Sequence, residues 1–519
     1  IKLTGSSHTM HIHGRFSPVA TLTSIASSTS GTAIGDPSRG VGTRSAANDC
    51  VAFMGTTLPE PATSPLRAIS RRRQGVALDT MTEQTPTRVS DARTQTCHES
   101  TAFLTDMYEL TMLDAALKDG TAHRQCAFEV FGRRLPAERR YGVVAGTARV
   151  IDAIANFRFT DEQIATAAFL SDEAKRFLRD YCFSGDVDGY REGDIYFPYS
   201  PILTVRGTFA ECVILETVIL SILNADSAVA SAAARMVSAA DGKPIIEMGS
   251  RRTHEQAAVT AARATYIAGF NATSNMEASL RYGIPASGTA AHSWTLLHVG
   301  EDGKPDEKAA FQTQIDAAGV DTTLLVDTFD ITKGVENALE VAGTELGAVR
   351  IDSGDLGIVS RRVRKQLDDA GAFNTRIIVS SDLDEFTIAG LRSDPVDGFG
   401  VGTSVVTGSG APTAGLVYKL VEVEGHAVAK RSSGKRTHGG AKAAFRAYRA
   451  SGVAVAEVVH PQGGDIARKP HLEYRELTVP LMRGGELTEA SFDLEEARET
   501  HREALTTLPW EGLALSKGD

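Results

Sequence analysis

The pattern of apolar and polar positions changes abruptly near residue 100. From Thr101 onward, F-L-T-D-M-Y-E-L-T-M-L-D-A-A-L places apolar residues at helical spacing through Leu117, and Gly120 ends the run. C-A-F-E-V-F alternates as a strand, Y-G-V-V-A-G opens an element leading to Ile154, and I-Y-F and I-L-T-V-R-G read as further short strands. Cys212 to Leu223 reads as a strongly apolar helix. A rhythm then sets in, of short apolar runs that end in polar or charged residues and lead into helical pattern. The runs are I-I-E-M-G-S-R-R, Y-I-A-G-F-N-A-T-S-N, I-P-A-S-G-T-A-A-H-S, L-L-V-D-T-F-D, V-R-I-D-S-G-D, I-I-V-S-S-D-L-D and G-F-G-V-G-T-S. Such strand-then-polar units predict parallel β/α architecture. After Gly410, L-V-Y-K-L-V-E-V-E-G-H-A-V-A-K alternates across a glycine turn as a hairpin, and L-E-E-A-R-E-T-H-R-E-A-L closes the chain as a charged helix.

The expected fold class is therefore α/β: an irregular β/α barrel at 241–410, preceded by an N-terminal α+β domain at 98–240. A small C-terminal antiparallel extension with a helix is expected at 411–519, and C-terminal segments are candidates to complete the N-terminal domain. Residues 1–97 are rich in Ser, Thr, Ala, Gly and Pro and show no period. They are expected to be a disordered leader, either non-native sequence ahead of Met81 or a targeting segment, because such composition buries too little apolar surface to offset chain entropy.

Composition narrows the function. With 42% apolar and 23% charged residues, the 519-residue chain has ordinary soluble composition. No stretch approaches the ~18 uninterrupted apolar residues of a membrane span. A formal charge of -11 argues against a dedicated nucleic-acid binder. If the substrates are anions, positive potential has to be concentrated locally. Five scattered cysteines without a C-x-x-C pair point away from zinc or a disulfide framework and towards a reducing cytoplasm.

In a barrel the chemistry collects at the carboxyl ends of the strands, where all of the polar clusters fall. In V-R-I-D-S-G-D, Arg350 and Asp352 alternate with apolar residues and share one strand face. Ser353 and Gly354 then make a tight turn suited to phosphate. Arg350 can fork a carboxylate or phosphate, and Asp352 can accept from ribose hydroxyls or hold hydrated Mg²⁺. The alternative is a structural Arg–Asp pair. G-F-G-V-G-T-S lets backbone approach a ligand at its glycines and adds the hydroxyls of Thr403 and Ser404, but it is not a P-loop. His292 can act as acid, base or phosphate acceptor, against a structural alternative. Arg251 and Arg252 supply local positive field, or a solvated rim. Together these clusters suggest a doubly phosphorylated, Mg²⁺-bound sugar substrate.

T-D-M-Y-E-L-T-M, E-M-G-S-R-R, F-N-A-T-S-N, G-T-A-A-H-S, V-D-T-F-D, R-I-D-S-G-D-L, V-G-T-S-V-V-T and V-Y-K-L-V, in this order, closely resemble the nicotinate phosphoribosyltransferases. The match runs from about 101 to 510, includes P-L-M-R-G-G-E-L and E-E-A-R, and leaves the leader uncovered. T-H-G-G-A-K at Thr437–Lys442 departs from the pattern, which has a proline before the glycine. The resemblance implies a type II phosphoribosyltransferase-like barrel, Mg²⁺, ATP as co-substrate, and a homodimer with shared active sites. It implies that nicotinate and 5-phosphoribosyl 1-pyrophosphate are the substrates and that ATP phosphorylates His292. Tyr108 is then the aromatic that stacks on the pyridine ring from the partner subunit, and Met248 the apolar group beneath it. Ser274, Thr289 and Arg350 surround the nicotinate carboxylate and reacting ribose. Arg251, Asp352, Ser353, Gly354, Gly402 and Thr403 form the phosphate and ribose cradle.

Three rivals are weighed. The nicotinamide-using branch carries an aspartate where Ser274 stands, which would repel nicotinate's carboxylate. Quinolinate phosphoribosyltransferase calls for more basic residues around the base and no ATP-dependent histidine. A catalytically silent metabolite-binding relative is disfavoured by the intact His292, Asp352 and arginines.

Overall fold

The computed structural model describes residues 10–12, 100–136, 139–432, 437–490 and 492–516. The leader expected at 1–97 lies outside the described residues, apart from a strand at Met10–Ile12 that pairs antiparallel with Glu457–Val459.

The first helix is Met107–Asp119, ended by Gly120 at φ 80°, where a left-handed residue is needed and glycine adopts it without steric cost. The apolar helix expected from Cys212 differs in extent. A short helix at Phe209–Val213 breaks at Ile214–Leu215, and Glu216–Ala240 then continues for 25 residues. Alanine-rich sequence sustains that second half. By length and hydropathy Phe209–Ala240 could cross a membrane, yet 67% of its most apolar window is buried inside the protein. It carries buried Asp226 and Arg235 and is the central core helix.

Six of the seven strand-then-polar units form one parallel sheet. Its order is Ala272–Thr273, Ile245–Glu247, Gly398–Val401, Arg376–Ser380, Ala348–Ile351, Thr323–Leu325. I-P-A-S contributes only a bridge from Ala286 to Thr273, and Tyr266–Ile267 end a helix instead of starting a strand. The two edge strands are not paired with each other, so the barrel is open and irregular.

The hairpin expected after Gly410 forms, but its long strand Leu416–Val423 pairs with Gln125–Gly132 of the N-terminal domain. Thr478–Arg483 joins the same seven-stranded antiparallel sheet at Asp186–Tyr190. C-terminal strands thus complete the N-terminal domain, because Gln125–Gly132 is buried along almost its whole length and needs neighbours on both edges.

A single turn, R-E-G-D at 191–194, ties the layers together. Glu192 takes both guanidinium nitrogens of Arg263 at 2.6 and 2.7 Å, linking the N-terminal domain to barrel helix Glu255–Ile267. Asp194 accepts from buried Arg446 at 3.0 Å, and Arg446 also binds Glu457 at 2.8 Å. At Gly193 a Cβ would lie 2.1 Å from Ala497 O, so only glycine lets helix Leu494–Thr506 dock there.

His501 on that helix bonds Gly193 O through Nδ1 at 3.1 Å, and burial pushes its imidazole down to about 4, with Asp194 and Arg498 nearby. A histidine neutral when folded takes up a proton on unfolding, so its stabilising contribution is present above the ordinary value of 6.5 and is lost as pH falls towards 4. Between pH 7 and pH 5 this amounts to roughly 2 kcal/mol. Urea unfolding of His501→Gln should show a correspondingly shallower loss of midpoint over that range. Identical slopes for the two proteins would assign the acid sensitivity to other groups.

Candidate active site

The carboxyl ends of the parallel strands gather most of the predicted residues at one mouth. His292 begins the short helix His292–Leu297, which Trp294 anchors by donating Nε1–H to Ala310 O at 3.1 Å. Its Nδ1 lies 3.2 Å from Thr328 Oγ1, and its Nε2 faces Asp352 Oδ2 at 3.9 Å. Asp352 accepts from Ser380 Oγ at 2.7 Å, so the carboxylate is held between two strands with one oxygen towards the histidine. Arg350 donates Nη2–H to Ala290 O at 2.9 Å, which fixes the loop that carries Thr289. Its Nε is buried without a hydrogen-bond partner, and burial lowers its pKa while Asp352 and Asp327 oppose that shift. A half-buried guanidinium with spare N–H groups is suited to a carboxylate or phosphate.

Around this centre, Ser353 and Gly354 turn away from the strand, with Gly354 at φ 88°. Met248 is held through N–H to Val401 O at 2.7 Å and lies over Gly400, where a Cβ would sit 2.7 Å from its sulfur. Gly402 packs on the Met248 carbonyl, and Thr403 is exposed just beyond it. Arg251 and Arg252 are exposed at the next strand end, as is Ser274 at its own, and Thr289 is exposed in the loop after the Ala286 bridge. The Ser274 hydroxyl makes no hydrogen bond to any described residue, while its N–H is held by Glu247 O at 2.8 Å.

Tyr108 is not brought into this group by its own chain. Its helix packs on Thr121–His123, Asp172–Asp180 and Phe209–Val213, all in the N-terminal domain. Neighbouring Glu109 is fully buried and accepts from Thr217 N–H at 2.9 Å. Tyr108 stays 44% exposed with Glu216 as its polar partner, and burial raises its hydroxyl pKa.

Sequence reasoning passed over the buried carboxylates that shape the site. Glu247 is 0% exposed and its carboxyl is raised by burial; it accepts from Thr273 Oγ at 2.6 Å and from Gly249 N–H. It thereby joins two strand ends. Asp327 accepts both Asp352 N–H at 2.9 Å and Ser353 Oγ–H at 2.7 Å, and its other oxygen is buried without a partner. Both residues lie at strand ends in quoted motifs, and that position was the available signal. Among the described residues no group of three or more His, Cys, Asp or Glu could hold a metal alone.

A parallel barrel with cations and phosphate-suited turns at one mouth is of the type II phosphoribosyltransferase-like class. Residues 103–224 match the nicotinate phosphoribosyltransferase (NAPRTase) N-terminal domain, and 244–449 match the nicotinate phosphoribosyltransferase (NAPRTase) family. Nicotinate phosphoribosyltransferase pncB1 of Mycobacterium tuberculosis is 59% identical over 420 residues, covering 80% of this chain and 93% of that protein. The Bacillus subtilis nicotinate phosphoribosyltransferase is 38% identical over 343 residues, 63% of this chain and 68% of that protein. Human nicotinic acid phosphoribosyltransferase superposes with a TM-score of 0.69 at 26% identity, covering 80% of this chain and 96% of that one. The nicotinate-nucleotide pyrophosphorylase of Pyrococcus furiosus gives 0.66 at 25% identity over 82% and 99%. The chain belongs to the nicotinate phosphoribosyltransferase family.

If Asp327 holds the Asp352–Ser353 turn, Asp327→Ala should free the Asp352 amide. A lost hydrogen bond to a charged group, worth about 1.5–3 kcal/mol, speeds exchange roughly 10–100-fold. Hydrogen exchange of a peptide covering 349–356 measures this, and unchanged protection would refute the anchoring role.

Proposed function

We propose that this chain joins nicotinate to 5-phosphoribosyl 1-pyrophosphate, releasing pyrophosphate and forming nicotinate mononucleotide. ATP hydrolysis is coupled through a phosphate carried on His292, and the reaction is the first step of NAD salvage from nicotinate in a reducing cytoplasm. The observation that carries this reading is the grouping of His292, Asp352 and Arg350 at one mouth, within a chain of this family.

The pyridine nitrogen lone pair forms a bond to the anomeric carbon while the carbon–oxygen bond to pyrophosphate breaks, its electrons leaving with the oxygen. Positive charge grows on the ribose and negative charge on the leaving group, so fixed cations at the mouth lower the barrier. Arg350 and Arg251 supply those cations. The turns Ser353–Gly354 and Gly402–Thr403 cradle the phosphates. Ser274 offers a hydroxyl that can donate to the nicotinate carboxylate, where an aspartate would repel it. Thr289 is carried on the loop held by Arg350, and Met248 forms the apolar floor for the ring. Mg²⁺ favours one or two carboxylates plus substrate phosphates over an all-protein cage, which fits Asp352 and the lack of a three-residue cluster among the described residues. When bound it neutralises charge on the leaving pyrophosphate.

Two groups of exposed apolar residues, among the described residues, support a homodimer with shared sites. One holds Leu104 (72% exposed), Met107 (60%), Tyr108 and Met112; the other, beside the site, holds Met276 (70%), Leu280 (72%), Leu297 and Phe329. Facing each other across a two-fold axis, they would bury both patches and bring the partner subunit's Tyr108 over the pyridine ring.

Assay with γ-labelled ATP tests the histidine. Wild type should acquire acid-labile label, and His292→Ala should lose both label and the ATP-dependent gain in rate while slow ATP-independent turnover survives. Label persisting in the variant would move the phosphate elsewhere.

Subunit mixing tests the shared site. Tyr108→Ala and Arg350→Ala dimers should each be nearly inactive, whereas mixed dimers contain one site free of both defects and should recover activity. Confirmed subunit exchange without recovery would refute sharing.

A further inference from the structure

One cation of the N-terminal domain reaches the loop that follows the last barrel strand. Arg139 donates Nη2–H to Gly408 O at 2.7 Å, and its Nη1 is buried without a hydrogen-bond partner. No carboxylate forms an ion pair with Arg139 among the described residues. Glu385, whose charge acts on it, is already engaged by Arg235 Nε at 2.9 Å and Ser409 Oγ at 2.8 Å.

The loop so gripped is tightly turned. Gly408, Ser409 and Gly410 take successive positive φ values of 63°, 49° and 79°, with a side chain on the middle residue, where the left-handed region costs about 1–2 kcal/mol. Ser409 N–H returns to Ser404 O at 2.7 Å and Gly408 N–H to Val405 O at 3.0 Å, so the backbone at 408–409 is tied to the short helix that begins at Thr403. A part-buried guanidinium whose buried Nη1 lacks an acceptor and which has no ion-paired carboxylate is costly unless an anion approaches. Here it sits behind the very loop assigned to phosphate, in a chain whose overall charge repels anions.

We propose that Arg139 is a positioning residue for the phosphate end of 5-phosphoribosyl 1-pyrophosphate, clamping the Gly402–Gly410 loop through Gly408 O and offering its unmatched charge to the bound phosphate. This rests on reading Gly402–Thr403 as the phosphate cradle. Glutamine at 139 can keep the hydrogen bond but not the charge, and lysine can keep the charge but not the fork.

Steady-state kinetics of Arg139→Gln, Arg139→Lys and Thr403→Val separate the possibilities, with thermal melting to confirm folding. Arg139→Gln should raise KM for phosphoribosyl pyrophosphate by about tenfold or more while KM for nicotinate stays within about twofold, and Arg139→Lys should recover to within about threefold of wild type. Added salt should weaken phosphoribosyl pyrophosphate binding less in Arg139→Gln than in wild type, a response that loop distortion alone would not produce. An unchanged KM in Arg139→Gln, or an equal rise for both substrates, overturns the proposal. If Arg139→Gln does not fold, Arg139→Lys decides, and a rise of about tenfold there refutes the charge role. A rise in Thr403→Val alone refutes only the part given to Arg139; no rise in either variant removes the cradle reading itself.

Discussion

Glu192 and Asp194, two buried carboxylates one residue apart, hold three layers of this protein in register. Glu192 grips a barrel helix through Arg263, and Asp194 grips the C-terminal sheet through Arg446. Both guanidiniums are almost fully buried, and their partners favour the charged forms against the desolvation that opposes them. Removing either member would leave an uncompensated charge inside, at a cost of about 3–5 kcal/mol. Such pairs tolerate little displacement, so they specify how the layers meet more sharply than apolar contact between alanine-rich surfaces could. The position of the barrel mouth relative to the N-terminal domain, and hence where Arg139 can reach, follows from that register.

The same division of labour recurs at the mouth. Glu247 and Asp327 point their carboxylates inwards and satisfy backbone N–H groups and hydroxyls at adjoining strand ends. Anions serve as internal fasteners, leaving Arg251, Arg252 and Arg350 without side-chain ion pairs among the described residues. A chain of net charge -11 can therefore present positive field where anionic ligands dock. The global charge and the local field do not conflict, because Glu247 and Asp327 are engaged in structure while Asp352 is a carboxylate left facing the site.

Much of the architecture was legible from pattern. Short apolar runs ending in polar clusters correctly marked the parallel strands, since strands buried on both faces read as continuous hydrophobic runs and their ends face solvent or ligand. I-P-A-S failed because Pro285 and Ala286 leave only a bridge where an alternating run would pair. The apolar helix was extended too little at its far end, where alanine supplies propensity without a strong hydrophobic signal.

What the sequence determined by itself was everything local or strictly ordered along the chain. That covers the α/β class, the strand ends carrying Arg350, Asp352, Ser353, Gly354, Gly402 and Thr403, and the motif order that marks the family, whereas His292 begins a short helix beyond a bridge. Tertiary structure decided what depends on long-range pairing. It placed Leu416–Val423 in the N-terminal sheet, turned Glu247 and Asp327 into buried anchors, and set Arg139 against Gly408. The reason is physical. Periodicity records which face of an element is buried, but a carboxylate or guanidinium becomes an anchor only when folding removes its water and brings a partner from distant sequence.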